Sequence, residues 1–122
     1  TQHSALSTMP LAYLSLGSNQ GDRRGYLDAA VRRLRAAPGV RVVGVSPVYE
    51  TAPHGEGYEG LPPFLNAAVA LDVDLAPQSL LRLCLEIEHQ FGRTRPTPKS
   101  ARTLDLDLLL YDQQVWDDRD LT

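Results

Sequence analysis

From residue 11 the chain alternates large apolar and small positions through Leu-Ala-Tyr-Leu-Ser-Leu-Gly, the period of a half-buried strand that ends in a glycine. The run Gly17-Ser18-Asn19-Gln20-Gly21-Asp22 that follows reads as a turn, with Asp22 placed to cap a helix. Leu27, Ala30, Val31 and Leu34 recur at helical steps along one face, and Pro38-Gly39 ends that helix. The valine-rich stretch 40–50 predicts a second strand, bent or at a sheet edge because Pro47 has no N–H to give to a ladder. Between Pro53 and Pro63 lie six glycines and prolines, the mark of a long exposed connection of the kind that often carries function. A third strand is predicted over 64–73. Pro77 suits the first turn of a second helix, whose face is Leu80, Cys84, Ile87 and Phe91 and whose stop is Gly92. A fourth strand runs from Thr103 to Tyr111, with a short further one near Val115-Trp116.

The predicted order is therefore β-α-β-β-α-β, the split βαβ arrangement: a ferredoxin-like α+β fold with a mostly antiparallel sheet and helices packed on it. No internal repeat or interior linker is evident. At 122 residues the chain suits one domain, assigned to 11–122, with 1–10 a flexible leader or expression remnant. With 43% hydrophobic and 22% charged residues it can bury a core, which excludes a disordered chain.

Charge matters through its distribution. The net charge of −3 gives no general attraction to nucleic acid or anionic membrane. Locally, Arg93, Arg95, Lys99 and Arg102 form a basic loop without an acid, and six aspartates with one arginine follow from Asp105 to Asp120. A basic loop leading into an acidic segment suits a site that handles anions and metal cations together. Cys84 is the only cysteine, so no internal disulfide forms and a reducing, cytoplasmic setting is expected. His3, His54 and His89 lack zinc-ligand spacing. Neither a bilayer-spanning apolar run nor a signal-peptide pattern is present.

The run Leu104-Asp105-Leu106-Asp107-Leu108 carries the sharpest chemistry. In a strand the leucines face one way and Asp105 and Asp107 the other, roughly 6.5–7 Å apart. Two like charges so placed repel, and a divalent cation resolves the repulsion; Mg²⁺ takes one or two carboxylates and completes its shell with water and phosphate oxygens. The other reading of these residues is a solvated strand face. The basic loop beside them favours a phosphate ligand, because arginine forks match phosphate oxygens two at a time. The Gly17–Asp22 turn lacks the Gly-Lys-Ser/Thr ending of a phosphate loop and reads as structural. No nucleophile elbow occurs, so no covalent intermediate is expected.

Read together, these segments resemble the 6-hydroxymethyl-7,8-dihydropterin pyrophosphokinase (HPPK) family of folate biosynthesis. The likeness rests on Leu16-Gly17-Ser18-Asn19 with Gly21-Asp22, Ser46-Pro47-Val48-Tyr49-Glu50-Thr51-Ala52-Pro53, Phe64-Leu65-Asn66-Ala67-Ala68-Val69, Gly92-Arg93-Thr94-Arg95 and Arg102-Thr103-Leu104-Asp105-Leu106-Asp107-Leu108. The resemblance implies diphosphate transfer from ATP to the pterin alcohol, with two Mg²⁺ ions held by Asp105 and Asp107. It implies catalytic roles for Arg93, Arg95, Arg102 and Asp107. The nucleotide would meet Glu88, Arg93, Lys99, Arg102 and Leu108, and the pterin Thr51, His54, Gly55, Phe64 and Asn66. The implied partners are these two small molecules, with no nucleic acid or membrane, in a monomer or as part of a folate-enzyme fusion. Two departures stand out: the loop 96–101 has only Lys99 where some relatives carry an Arg-Trp pair, and relatives continue past Thr122 with a histidine, an arginine and a second aromatic. A truncated, non-catalytic binder of nucleotide or pterin is the alternative. A nucleic-acid-binding domain of the same order would need exposed aromatics on central strands, where this chain carries Ala, Leu, Val and aspartates.

Overall fold

The computed structural model describes residues 9–52, 60–91 and 104–112, and the backbone of 114–115. Through them the chain runs β1 (Leu11–Ser18), α1 (Arg23–Ala36), β2 (Val40–Val45), β3 (Tyr49–Thr51), β4 (Phe64–Val73), α2 (Pro77–Gln90), β5 (Asp105–Tyr111) and β6 (Gln114–Val115). One antiparallel sheet takes the order β2-β4-β1-β5-β6, with β3 also paired to β4. Because β4 lies between β1 and β2, the first βαβ unit is split, as the ferredoxin-like reading requires.

Where the sequence predicts one bent strand over 40–50, the structure has two. β2 pairs with the far half of β4 as far as Val45↔Val69, and β3 resumes at Tyr49↔Asn66. The break falls at Ser46-Pro47-Val48 because Pro47 cannot donate to the ladder. Ser46 bridges it: its N–H donates to the Ala68 carbonyl at 2.8 Å, and its hydroxyl accepts from the Ala68 N–H at 2.8 Å.

Period-two alternation divides the sheet into two faces. Ala12, Leu14 and Leu16 of β1, Ala67, Val69, Leu71 and Val73 of β4, and Leu106 and Leu108 of β5 are buried under the helices. Leu27, Ala30 and Leu34 of α1 and Leu80, Cys84 and Ile87 of α2 complete that core. Each leucine so buried contributes about 1.5–3 kcal/mol. Asp22 caps α1 by accepting from the Gly25 N–H at 3.1 Å, and α2 opens on Pro77, whose missing N–H belongs to a turn without intrahelical partners. After α1 the chain turns at Gly39 with φ 79°; a Cβ there would also stand 3.0 Å from Leu75 Cδ2. The helices are tied to each other by an edge-on Tyr26–Phe91 contact at 6.2 Å and by Arg33 Nε donating to Gln90 Oε1 at 2.8 Å. Gly92, the predicted stop of α2, lies outside the described residues. No described helix is long and apolar enough to cross a membrane.

Candidate functional site

The sheet face away from the helices carries the predicted chemistry. Leu104, just before β5, and Leu106 and Leu108 within it are buried, which turns Asp105 and Asp107, both partly exposed, to the other side. Their spacing along the strand is about 6.6–6.8 Å, two residue rises. Antiparallel register then fixes what lies next to them. Asp105 pairs with Gly17 and Asp107 with Ser15 on β1. On the other side of β1, Gly17 pairs with Asn66 and Ser15 with Ala68, and Asn66 in turn pairs with Tyr49. One row across the sheet therefore reads Asp105, Gly17, Asn66, Tyr49, and the next Asp107, Ser15, Ala68.

Gly17, itself buried, brings no side chain to the first row. Asp105 and Asn66 stand two strand spacings apart, roughly 9.5–10 Å, and Gly17 between them contributes no side chain. A Cβ built at Gly17 would lie 3.4 Å from Asn66 Oδ1 and 3.5 Å from Phe64 Cδ1, so the amide oxygen and the ring both border the gap. The amide is held in that direction. Asn66 Nδ2 donates to Thr51 Oγ1 at 2.8 Å and to the Phe64 carbonyl at 3.3 Å. With the donor end anchored, the acceptor end is left facing the gap. Three residues singled out from sequence, Thr51, Phe64 and Asn66, are thus brought together, with Phe64 on the open face and outside the core.

Sequence reasoning missed how this wall is held in place. Asn19, fully buried, donates from Nδ2 to the Pro62 carbonyl at 3.3 Å. Arg23 donates from Nη1 to the Pro63 carbonyl and to Glu50 Oε2, each at 2.9 Å. The turn after β1, read as a helix cap alone, also fixes the two residues that precede Phe64. A polar Asn inside a glycine-flanked turn was the available signal, but its partner lies 43 residues away.

Glu88 and Leu108, expected near a nucleotide, are both buried. Glu88 is 3% exposed, and its Oε2 accepts from the Leu106 N–H at 2.6 Å. The Leu108 side chain belongs to the core, which leaves its backbone for any ligand. Arg93, Arg95, Lys99 and Arg102 of the basic loop, and His54 and Gly55, lie outside the described residues. Among the described residues no group of three or more Asp, Glu, His or Cys could hold a metal ion. The donor set is the Asp105–Asp107 pair, which fits Mg²⁺ completed by water and phosphate and does not fit a metal that wants a full protein cage. Beyond Ser15 a shallow depression of about 270 Å³, lined by Tyr13, Gly44, Ser46, Ala68 and Ala70, continues the open face.

Comparison with known proteins identifies the family. Residues 13–122 match the family described as 7,8-dihydro-6-hydroxymethylpterin-pyrophosphokinase (HPPK). The chain is 47% identical over 112 residues to a 2-amino-4-hydroxy-6-hydroxymethyldihydropteridine pyrophosphokinase of Methylorubrum extorquens, covering 91% of this chain and 70% of that protein. It is 46% identical over 104 residues to the Bacillus subtilis protein of the same name, covering 85% of this chain and 61% of the relative. The folic acid synthesis protein fol1 of Schizosaccharomyces pombe is 40% identical over 112 residues, which cover 92% of this chain and 15% of that protein.

Proposed function

The chain belongs to the 7,8-dihydro-6-hydroxymethylpterin-pyrophosphokinase family, and from that premise we propose that it transfers diphosphate from ATP to 6-hydroxymethyl-7,8-dihydropterin in folate biosynthesis. The pterin hydroxyl oxygen forms a bond to the β-phosphorus, the bond from that phosphorus to the α–β bridging oxygen breaks, and AMP leaves. The hydroxyl proton passes to Asp107 or to water. The observation that carries this reading is the open-face arrangement of Asp105 and Asp107 on β5 beside Gly17, which brings no side chain, with the Asn66 amide oxygen and the Phe64 ring bordering it.

The pterin lies in that gap. Its ring-edge amino and N–H groups are donors, which suits the Asn66 oxygen; Thr51 keeps the amide from turning. Phe64 offers an aromatic wall to the ring system. His54 and Gly55 are assigned to the pterin side by the family likeness. Asp105 and Asp107 hold magnesium, two ions in our reading, against the phosphates. Bound there, magnesium neutralises phosphate charge and lowers the pKa of the attacking hydroxyl. Arg93, Arg95, Lys99 and Arg102 supply the cationic side of the triphosphate, with the arginines acting mainly as charge builds on the transferring group. The domain spans 11–122. Cys84, the only cysteine and buried, suits a reducing compartment.

The test is AMP release from ATP in the presence of the pterin. Asp105→Ala and Asp107→Ala are expected to lower turnover by about 10² or more, since each removes a metal ligand, while ATP binding stays measurable. Near-normal turnover in both variants would end the assignment.

A further inference from the structure

Glu88 belongs to α2, yet its carboxylate reaches the strand that carries the two aspartates. It is 3% exposed, and Oε2 takes the N–H of Leu106, the residue between Asp105 and Asp107, at 2.6 Å. In an antiparallel strand the N–H and C=O of one residue point to one side and those of the next residue to the other. Leu106 directs its N–H away from β1. On that side β6 pairs only with Leu110 and Tyr111, so at the level of the aspartates no described strand covers β5. Glu88 fills the position that a neighbouring strand would occupy. A buried carboxylate is costly unless it is hydrogen-bonded, and a charged acceptor makes the shorter and stronger kind of bond.

We propose that Glu88 is a positioning residue: its bond to the Leu106 N–H fixes the rotation and depth of β5 so that Asp105 and Asp107 present their carboxylates to one ligand. This rests on the metal reading above and assigns Glu88 no contact with the nucleotide. Its geometric logic is that of period two. Leu106 is anchored on the core side by its own buried side chain and on the edge by Glu88, so the residues on either side of it cannot roll toward the core. Without the edge bond the strand keeps its apolar anchor but gains freedom to tilt, and the two carboxylates lose their common aim.

The test uses the whole chain with Mn²⁺ and α,β-methylene-ATP, an analogue blocked at the bond that breaks. Two quantities are read: exchange of the Leu106 amide with solvent deuterium, and Mn²⁺ affinity, followed by paramagnetic broadening of residues 104–108. Glu88→Ala is expected to speed Leu106 exchange at least tenfold relative to β1 amides and to weaken Mn²⁺ binding about tenfold. Glu88→Gln keeps the reach and an acceptor oxygen and should stay within threefold of wild type on both. Glu88→Asp, one methylene short, should behave like Glu88→Ala, and this pair decides the matter if Glu88→Ala does not fold. Fast Leu106 exchange with unchanged Mn²⁺ affinity would reduce Glu88 to a structural residue and overturn the proposal, as would a Gln variant as impaired as the Ala one. Absence of Mn²⁺ broadening in the wild type would instead strike the metal reading, and the exchange data would still decide whether Glu88 anchors the strand.

Discussion

Replacing Gly17 by alanine separates the fold from the site more cleanly than any other single change. Gly17 lies in a regular strand and is absent from the residues with positive φ, so alanine meets no backbone strain there. The new methyl carbon would find Asn66 Oδ1 at 3.4 Å and Phe64 Cδ1 at 3.5 Å, ordinary contact distances that require no rearrangement. Stability should therefore hold or rise, by about 0.4–1 kcal/mol, through lost freedom of the unfolded chain. For a domain of this size that corresponds to a Tm increase of roughly 1–5 °C. The same methyl would stand between Asn66 and Asp105, where we propose that the pterin binds. Crowding of this order costs about 1–3 kcal/mol, or roughly 5- to 160-fold in affinity. Thermal unfolding and initial rates of AMP release, with pterin varied at saturating ATP, measure the two effects on one sample. The expected result is an unchanged or higher Tm with pterin KM raised at least fivefold and ATP KM nearly constant. A Gly17→Ala enzyme with wild-type pterin KM would refute the placement of the pterin, and a large drop in Tm would refute the reading that the neighbours of Gly17 leave room for a methyl.

Other changes probe the supports. Arg23→Ala removes donors to Pro63 and Glu50, and should cost about 0.5–1.5 kcal/mol while raising pterin KM more than it lowers kcat, measured by unfolding and steady-state rates. Arg41→Ala deprives Asp72, wholly buried, of a 2.6 Å ion-pair partner at the end of the sheet far from the aspartates. It should cost about 1–3 kcal/mol in denaturant melts and leave turnover per folded molecule unchanged. Tyr111, whose hydroxyl donates to the Leu75 carbonyl, has its pKa raised above the ordinary 10.0 by burial and by the charges of Asp112 and Asp74. A phenol harder to ionise in the folded state contributes stability that is complete below pH 10 and is lost as pH climbs through the folded value. Melts above pH 10 should fall less steeply for Tyr111→Phe than for wild type.

Much of this was legible because period and punctuation agreed. The bounds of β4 follow from its apolar run between Pro63 and Asp74, and the faces of β5 follow from alternating leucine and aspartate, which leave one outcome once the leucines seek a core. Pro47 signalled trouble in the second strand. It did not reveal that Ser46 would supply a side-chain acceptor and let two separate strands share one neighbour. The contacts of Asn19, Arg23 and Glu88 were illegible for a different reason. Each joins a side chain to a backbone group 18 to 43 residues away, and no local pattern records which carbonyl or N–H will lie there. Glu88 shows the limit well: its position on α2 was plain and the family likeness set it near the nucleotide, but nothing local told which backbone N–H its carboxylate would meet.

The floor under the gap consists of Gly17, Ser15 and Ala68, side chains with almost no rotamers to rearrange. At the proposed pterin site, fit to a flat molecule is therefore expected to follow the main-chain pleat more than adaptable groups beneath it. A variant meant to admit a bulkier heterocycle has nothing there to trim, and must move the borders at Phe64, Asn66 or Thr51.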